Sequence, residues 1–90
     1  MNNPGKIRAW QLSKYGITPD DYASFFSTQN GRCAICGTDK PSKRRVFFDV
    51  DHCHTTGKVR GLLCEVCNRS IGLLKDSPEL LRRAADYLEK

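Results

Sequence analysis

The sequence has no long hydrophobic run, and its 90 residues include only two histidines, one tryptophan and one methionine. No stretch approaches the roughly 20 apolar residues that a membrane-spanning helix needs, so we expect no membrane association. The opening residues MNNPGK are not followed by the apolar segment of a secretory signal. We therefore expect a cytoplasmic location, where cysteines stay reduced.

Basic residues outnumber acidic ones. The formal net charge is +5 and the sequence pI is about 9.1, a balance that favours a polyanionic partner such as nucleic acid. A solvated basic face is the alternative interpretation. The length predicts one small domain, near the size at which a hydrophobic core needs help from a metal or a partner.

Two helices are predicted in the N-terminal third. Residues Lys6–Tyr15 form a short amphipathic pattern that Gly16 ends. For the second helix, Thr18 is a suitable cap, Pro19 suits the first turn, and Asn30-Gly31 closes it. Residues available for burial on the two helices are Ile7, Trp10, Leu12, Tyr22, Phe25 and Phe26.

The central and C-terminal parts predict a hairpin followed by two helices. Val46–Asp51 is rich in β-formers, Thr55–Lys58 has turn chemistry, and Val59–Leu63 is again extended and apolar. A helix should begin at the second cysteine pair. Ser77-Pro78 should start the last helix, with an apolar stripe formed by Leu80, Leu81, Ala84, Ala85 and Leu88.

The cysteines form two matching pairs, Cys33-x-x-Cys36 and Cys64-x-x-Cys67, with 27 residues between them. A Cys-x-x-Cys turn presents two thiolates to one ion, and zinc prefers four such ligands in a tetrahedron. Two disulfides or four unrelated buried thiols are the alternatives. Because the four cysteines complete a closed site, neither histidine is needed in it, and Cys53 is left without a partner.

Both histidines lie in one tetrapeptide, Asp51-His52-Cys53-His54. Asp51 and Asn68 carry hard oxygen ligands suited to Mg²⁺ or Mn²⁺, and a neutral histidine can accept a proton from water. Because neighbouring side chains on a straight strand point to opposite faces, the strand must bend or end here for Asp51 and His52 to act together. The alternative is an ordinary hairpin-end hydrogen bond, with Asn68 as a helix cap.

The run DHCHTTGKVRGLLCEVCN, residues 51–68, resembles the recombination endonuclease VII family, a branch of the HNH or ββα-metal nucleases common in bacteriophages. The similarity extends upstream through 33–37 and 15–18. It implies an α+β fold, a small zinc-stabilised ββα-metal domain with flanking helices. Within this single domain, residues 1–32 would be a helical segment packing on the core, 33–76 the nuclease core, and 77–90 a C-terminal helix.

The resemblance also implies roles for individual residues. Asp51 and Asn68 would bind the catalytic Mg²⁺ or Mn²⁺, His52 would be the general base, and His54 would support the site. The structural Zn²⁺ would be held by Cys33, Cys36, Cys64 and Cys67. The reaction implied is phosphodiester hydrolysis of duplex or branched DNA, leaving 5′-phosphate and 3′-hydroxyl ends, in the host cytoplasm if the chain is phage-encoded. Candidates for DNA backbone contacts are Lys43, Arg44, Arg45, Lys58 and Arg60.

The chain departs from the family pattern in two respects. Junction-resolving relatives have a substantial further C-terminal region, and some place an acidic residue one turn after the metal-binding asparagine, where this chain has Ile71 and Gly72. The choice between branched and linear DNA therefore stays open, as does the choice between a monomer and a homodimer. The alternative functions are a non-catalytic zinc-finger DNA-binding module and a zinc adaptor for protein interactions.

Overall fold

The first helical segment is shorter than its sequence pattern predicts. The computed structural model describes residues 7–90, so the predicted start at Lys6 lies outside the described residues. Helix α1 spans Ala9–Leu12, a 3-10 turn follows over Ser13–Tyr15, and Gly16 ends it in the left-handed region at φ 73°. Leu12 is buried as expected, but the burial expected for Trp10 is wrong, because 72% of this residue is exposed.

Helix α2, Pro19–Thr28, has the ends that its sequence predicts. The Thr18 hydroxyl accepts from the Asp21 N–H at 3.1 Å, and the Asp21 carboxylate accepts from the Thr18 N–H at 2.9 Å. This reciprocal pair satisfies two N–H groups that the first helical turn cannot satisfy itself. Within α2, Tyr22 is completely buried, and its hydroxyl donates to the Phe48 carbonyl at 3.1 Å.

The predicted hairpin is confirmed, with strand β1 at Asp49–His52 and strand β2 at Val59–Leu63. The strands are antiparallel, and Asp51 lies opposite Gly61. The next pair is His52 with Val59, so Arg60 is an extra residue on β2 and the register slips between Asp51 and His52. Strand β1 begins three residues later than the β-rich segment that starts at Val46.

A glutamine joins the end of α2 to the middle of β2. The Gln29 amide donates to the Leu62 carbonyl and accepts from the Leu62 N–H, each at 2.9 Å. A Cβ atom at Gly61 would lie 3.0 Å from the Gln29 oxygen, so a side chain there would disturb this contact. Gly61 therefore allows the hairpin to approach α2 closely at the position facing Asp51.

The two C-terminal helices differ in how they are covered. Helix α3, Glu65–Leu73, lies against both strands. Helix α4, Pro78–Leu88, is capped by the Ser77 hydroxyl as predicted. No residue of α4 is buried, and Leu88 at its end is 80% exposed. Of the apolar stripe predicted for this helix, Leu80, Leu81 and Ala84 are half-buried, whereas Ala85 and Leu88 are exposed.

The core is small and lies between the N-terminal helices and the hairpin. Its largest fully buried side chains are those of Tyr22, Leu12 and Leu62, and Cys33 and Cys64 belong to the same buried cluster. The α+β architecture is thus as predicted. Among residues 7–90, none of the helices has both the length and the apolar character required to cross a membrane.

Candidate metal centre and active site

The four paired cysteines meet at one point. Their sulfur atoms all lie within 4.8 Å of one another, and the Sγ atoms of Cys36 and Cys64 are 3.7 Å apart. Zn–S bonds of about 2.3 Å at tetrahedral angles place sulfur atoms about 3.8 Å apart. All five cysteines are free thiols. The donor set and its spacing therefore fit one tetrahedral ion.

Backbone N–H groups surround these sulfurs. The Ile35 N–H points at Cys33 Sγ at 3.4 Å, and the Cys67 N–H points at Cys64 Sγ at 3.5 Å. Burial raises the pKa of the Cys33 thiol, but the N–H groups of the two turns outweigh burial and lower that pKa to about 6. Burial raises the pKa of the thiols of Cys64 and Cys67. The N–H groups of the two turns thus favour a thiolate at Cys33.

The cysteine cluster joins the hairpin to α3. Cys64 follows β2 directly and caps α3, its sulfur accepting from the N–H of Cys67. On the other side, the Ala34 N–H donates to the Leu62 carbonyl at 3.2 Å, and the Glu65 N–H donates to the Pro41 carbonyl at 2.9 Å. An ion held by the four sulfurs would therefore fix where α3 begins relative to β2.

Asp51 is held by an arginine from the opposite strand. The Arg60 guanidinium donates to both carboxylate oxygens of Asp51, at 2.7 and 2.8 Å, and reaches the His52 carbonyl at 3.3 Å. This bond raises the pKa of Arg60. The extra residue at the register slip explains the geometry, because a bulge re-aims its side chain. The register slips between Asp51 and His52 and β1 ends at His52, and that these two side chains act together stays a prediction.

The two imidazoles lie together at the end of the hairpin. The ring of His52 is 4.8 Å from that of His54 and 5.4 Å from that of Tyr15, centre to centre. His54 Nε2 lies 3.3 Å from Asp76 Oδ2, and Arg60 reaches the same oxygen at 3.4 Å. Asp76 was not predicted from the sequence; it lies in the left-handed region at φ 54° in the turn between α3 and α4.

Asn68 makes its hydrogen bond with a second aspartate. Its Nδ2 donates to Asp49 Oδ2 at 3.1 Å, and Asp49 Oδ1 lies 3.4 Å from Arg45 Nε. Asp49 and Asp51 are two positions apart on β1 and share a face, so Asn68 lies over the face that carries Asp51. Carboxylate and amide oxygens there suit a hard cation, which would compete with Arg60 for Asp51. Asp49 was also missed, although its alternation with Asp51 is visible in the sequence.

The basic residues predicted to contact DNA differ in their surroundings. Arg44 and Arg45 both reach the Glu65 carboxylate, which is buried at the start of α3. The Arg44 guanidinium lowers the pKa of Glu65 to about 2. Arg60 is engaged with Asp51 as described, and all five residues, including Lys43 and Lys58, are exposed.

A small pocket opens beside the histidines. Its volume is about 330 Å³, and its lining includes His54, Arg60 and Asp76 together with the unpaired Cys53. The hydroxyl and backbone of Thr56 lower the pKa of the Cys53 thiol to about 7. Cys53 therefore belongs to the hairpin end and not to the four-sulfur cluster.

Together, these features define a small α+β domain in which a four-thiol cluster supports an acidic and imidazole site on a hairpin. The family model of recombination endonuclease VII matches residues 8–90. The chain therefore belongs to the recombination endonuclease VII family, and the resemblance seen in the sequence is confirmed.

Two curated relatives are phage proteins. The chain is 48% identical over 80 residues to the Gene 59 protein of Mycobacterium phage D29, which covers 88% of this chain and 47% of the relative. It is 46% identical over 78 residues to the Gene 59 protein of Mycobacterium phage L5, covering 86% and 46%. The chain thus spans about half the length of the curated relatives it matches. No solved structure matches it.

Proposed function

We propose that the protein is a metal-dependent DNA endonuclease of the HNH type that hydrolyses phosphodiester bonds. The observation that carries the proposal is the end of the hairpin packed on α3, where the rings of His52 and His54 lie 4.8 Å apart directly after Asp51 in the chain. Membership of the family supports a nuclease. The net charge of +5 supports a polyanionic substrate.

The residues would divide the chemistry as follows. His52 takes a proton from the attacking water, while His54, held by Asp76, supports the phosphate end of the site. Asp51 and Asn68 hold the cation through oxygen atoms. When bound, a divalent cation supplies charge stabilisation at the scissile phosphate and the leaving 3′ oxygen. The products carry 5′-phosphate and 3′-hydroxyl ends.

Two different ions are proposed. The four sulfurs suit Zn²⁺, which is structural because four protein ligands leave no open position. The oxygens of Asp51 and Asn68 suit Mg²⁺ or Mn²⁺. Since Arg60 occupies both Asp51 oxygens, we expect its guanidinium to move aside when the hard cation binds.

Duplex and branched DNA are both proposed as substrates, and the site of action is the cytoplasm of a bacterial host. The phage origin of the two relatives supports this location.

A homodimer would allow a domain with one site to cut both strands. The exposed Tyr87 and Leu88 at the end of α4 support such an interface. Sedimentation of the protein and of Leu88→Glu tests it, because the charge should abolish self-association.

One observation favours a non-catalytic alternative. Both oxygens of Asp51 are bonded to Arg60, an arrangement that also suits a purely structural hairpin end. In that case the protein would be a zinc-finger module that binds DNA without cutting it. Both functions require zinc and salt-sensitive DNA binding, so only cleavage separates them.

The test is nicking of a supercoiled plasmid beside a four-way junction, with and without Mg²⁺ or Mn²⁺. The endonuclease should nick only with a divalent cation, and His52→Ala should abolish nicking while zinc content and DNA binding persist. Lys40→Ala, at an exposed position of the first cysteine loop, is the control and should nick normally. Zinc-loaded protein that cuts neither substrate with either cation would favour the binding module.

A further inference from the structure

A groove runs between the N-terminal helical turn and the segment that leads into β1. Its volume is about 650 Å³, within the range of about 300–1,000 Å³ typical of ligand sites. One wall carries Trp10, Lys14 and Tyr15, and the other carries Arg45 and Phe47. This groove is separate from the smaller pocket beside His54.

The chemistry of the groove combines aromatic surface with positive charge. Trp10 is 72% exposed, which leaves most of its indole uncovered by the protein's own core. The Lys14 ammonium lies 5.2 Å from the centre of the Tyr15 ring, and the Arg45 side chain is 45% exposed on the opposite wall. Exposed aromatic rings beside cations are typical of sites for single-stranded nucleic acid, in which bases stack and phosphates meet charge.

The groove adjoins the candidate active site at two points. Tyr15 belongs to its wall, and the Tyr15 ring lies 5.4 Å from that of His52. Asp49 also lines it and accepts the hydrogen bond of Asn68. Arg45 lies 3.4 Å from both Asp49 and Glu65, so a phosphate would share the charge of Arg45 with these two carboxylates. A DNA strand at His52 would have this groove beside it.

We propose that the groove binds an unpaired nucleotide of the DNA strand, with its base stacked on Trp10 and its phosphate beside Lys14 and Arg45. The proposal rests on the proposed function for DNA as the partner, and it adds a preference for DNA with unpaired nucleotides beside the cut over fully paired duplex. A fully paired duplex keeps its bases stacked inside the helix and offers none to the indole.

Trp10 makes the proposal directly measurable, because it is the only tryptophan of the chain. Titration of the zinc-loaded protein with a short oligothymidylate, without added Mg²⁺ or Mn²⁺, should quench the tryptophan fluorescence. A blunt duplex of the same length should quench it much less. Anisotropy of a labelled oligothymidylate should show affinity falling roughly tenfold in Trp10→Ala, with recovery in Trp10→Phe, which keeps an aromatic face.

Matched variants separate stacking and local charge from general effects. Lys14→Ala should weaken oligothymidylate binding, whereas Lys40→Ala, also exposed, should have little effect. Tyr87→Ala removes an aromatic residue of similar exposure, 68%, from α4 and should leave affinity unchanged. Circular dichroism and zinc content identify any variant that fails to fold, in which case the quenching of the unaltered protein decides.

The proposal is overturned if oligothymidylate binds without quenching Trp10, or if Trp10→Ala binds it as tightly as the unaltered protein. This outcome is distinct from failure of the proposed function. Quenching without plasmid nicking would support nucleotide binding in the groove and refute the endonuclease function. Nicking without quenching would support the endonuclease function and refute nucleotide binding in the groove.

Discussion

At the scale of single residues, the two aspartates of β1 show how partners give the same side chain different roles. Asp51 is bonded to a guanidinium, whereas Asp49 accepts from the Asn68 amide. A carboxylate can only accept hydrogen bonds, so Asp49 requires the nitrogen of the Asn68 amide to face it. The amide oxygen is then directed away from Asp49, as the proposed cation site requires.

Removing Asp49 should therefore weaken cation binding at the proposed site, although Asp49 is not itself a proposed ligand, because it orients Asn68. We expect Asp49→Ala to raise the Mn²⁺ concentration for half-maximal nicking by about tenfold, the effect typical of a residue that orients a metal ligand. Asp49→Asn keeps an oxygen acceptor and should recover part of the loss. Unchanged Mn²⁺ dependence in Asp49→Ala would show that Asn68 is oriented by something else.

Arg60 should compete with the cation for Asp51. Replacing it by glutamine removes a charged hydrogen-bond donor, and such bonds contribute about 1.5–3 kcal/mol. We expect Arg60→Gln to bind Mn²⁺ roughly tenfold more tightly in calorimetry without DNA. Arg83→Gln, on the exposed side of α4, is the control. Weaker Mn²⁺ binding in Arg60→Gln would mean that Arg60 builds the site and does not compete for it.

Some contacts of single residues could be predicted from the sequence, and others could not. Cys33, Cys36, Cys64 and Cys67 could be grouped from spacing alone, because a Cys-x-x-Cys turn is a local structure. Asp76 could not be assigned to His54, since their contact depends on two consecutive left-handed residues in the turn after α3. The partners of Asp51 and Asn68 were likewise out of reach, because they depend on the strand register.

At the scale of elements, local signals predicted helix ends better than strand ends. The caps Thr18 and Ser77 act within one turn of their own helices, so sequence alone could locate α2 and α4. Strand β1 starts later than its β-rich sequence, at Asp49, because Phe47 and Phe48 pack on the core outside the paired strand. Tertiary packing here overrides β propensity.

Glu65 ties the basic loop before β1 to the start of α3. Glu65→Gln removes the charge that Arg44 and Arg45 share, so we expect the melting temperature at neutral pH to fall by several degrees. Glu79→Gln is the matched control, since Glu79 also lies in the first turn of a helix but is exposed. Equal effects of the two substitutions would mean that the helix dipole, and not the arginine pair, accounts for the loss.

At the scale of the whole molecule, the apolar core is too small to explain the fold by itself. Among the described residues, the large side chains that are almost fully buried are those of Leu12, Tyr22, Phe48, Leu62 and Leu63, and α4 contributes none. The sulfur cluster supplies the missing connection, because its two halves lie on the loop before β1 and at the start of α3. The metal-binding sequence was readable, but its position relative to Asp51 required the fold.

Removal of the proposed zinc should consequently unfold the domain and disrupt the candidate active site at the same time. Because ligand thiolates are assembled only in the folded state, the free energy of zinc binding is also folding free energy. We expect Cys64→Ser to release zinc to a colorimetric chelator, to lose its cooperative thermal transition in circular dichroism, and to lose nicking. Cys53→Ser alters a thiol outside the cluster and should keep both its zinc and its transition. A Cys64→Ser protein that melted like the unaltered one would show that the hairpin and α3 hold together without the ion. The position of Asn68 over β1 would then have to come from Asp49 and Glu65 alone.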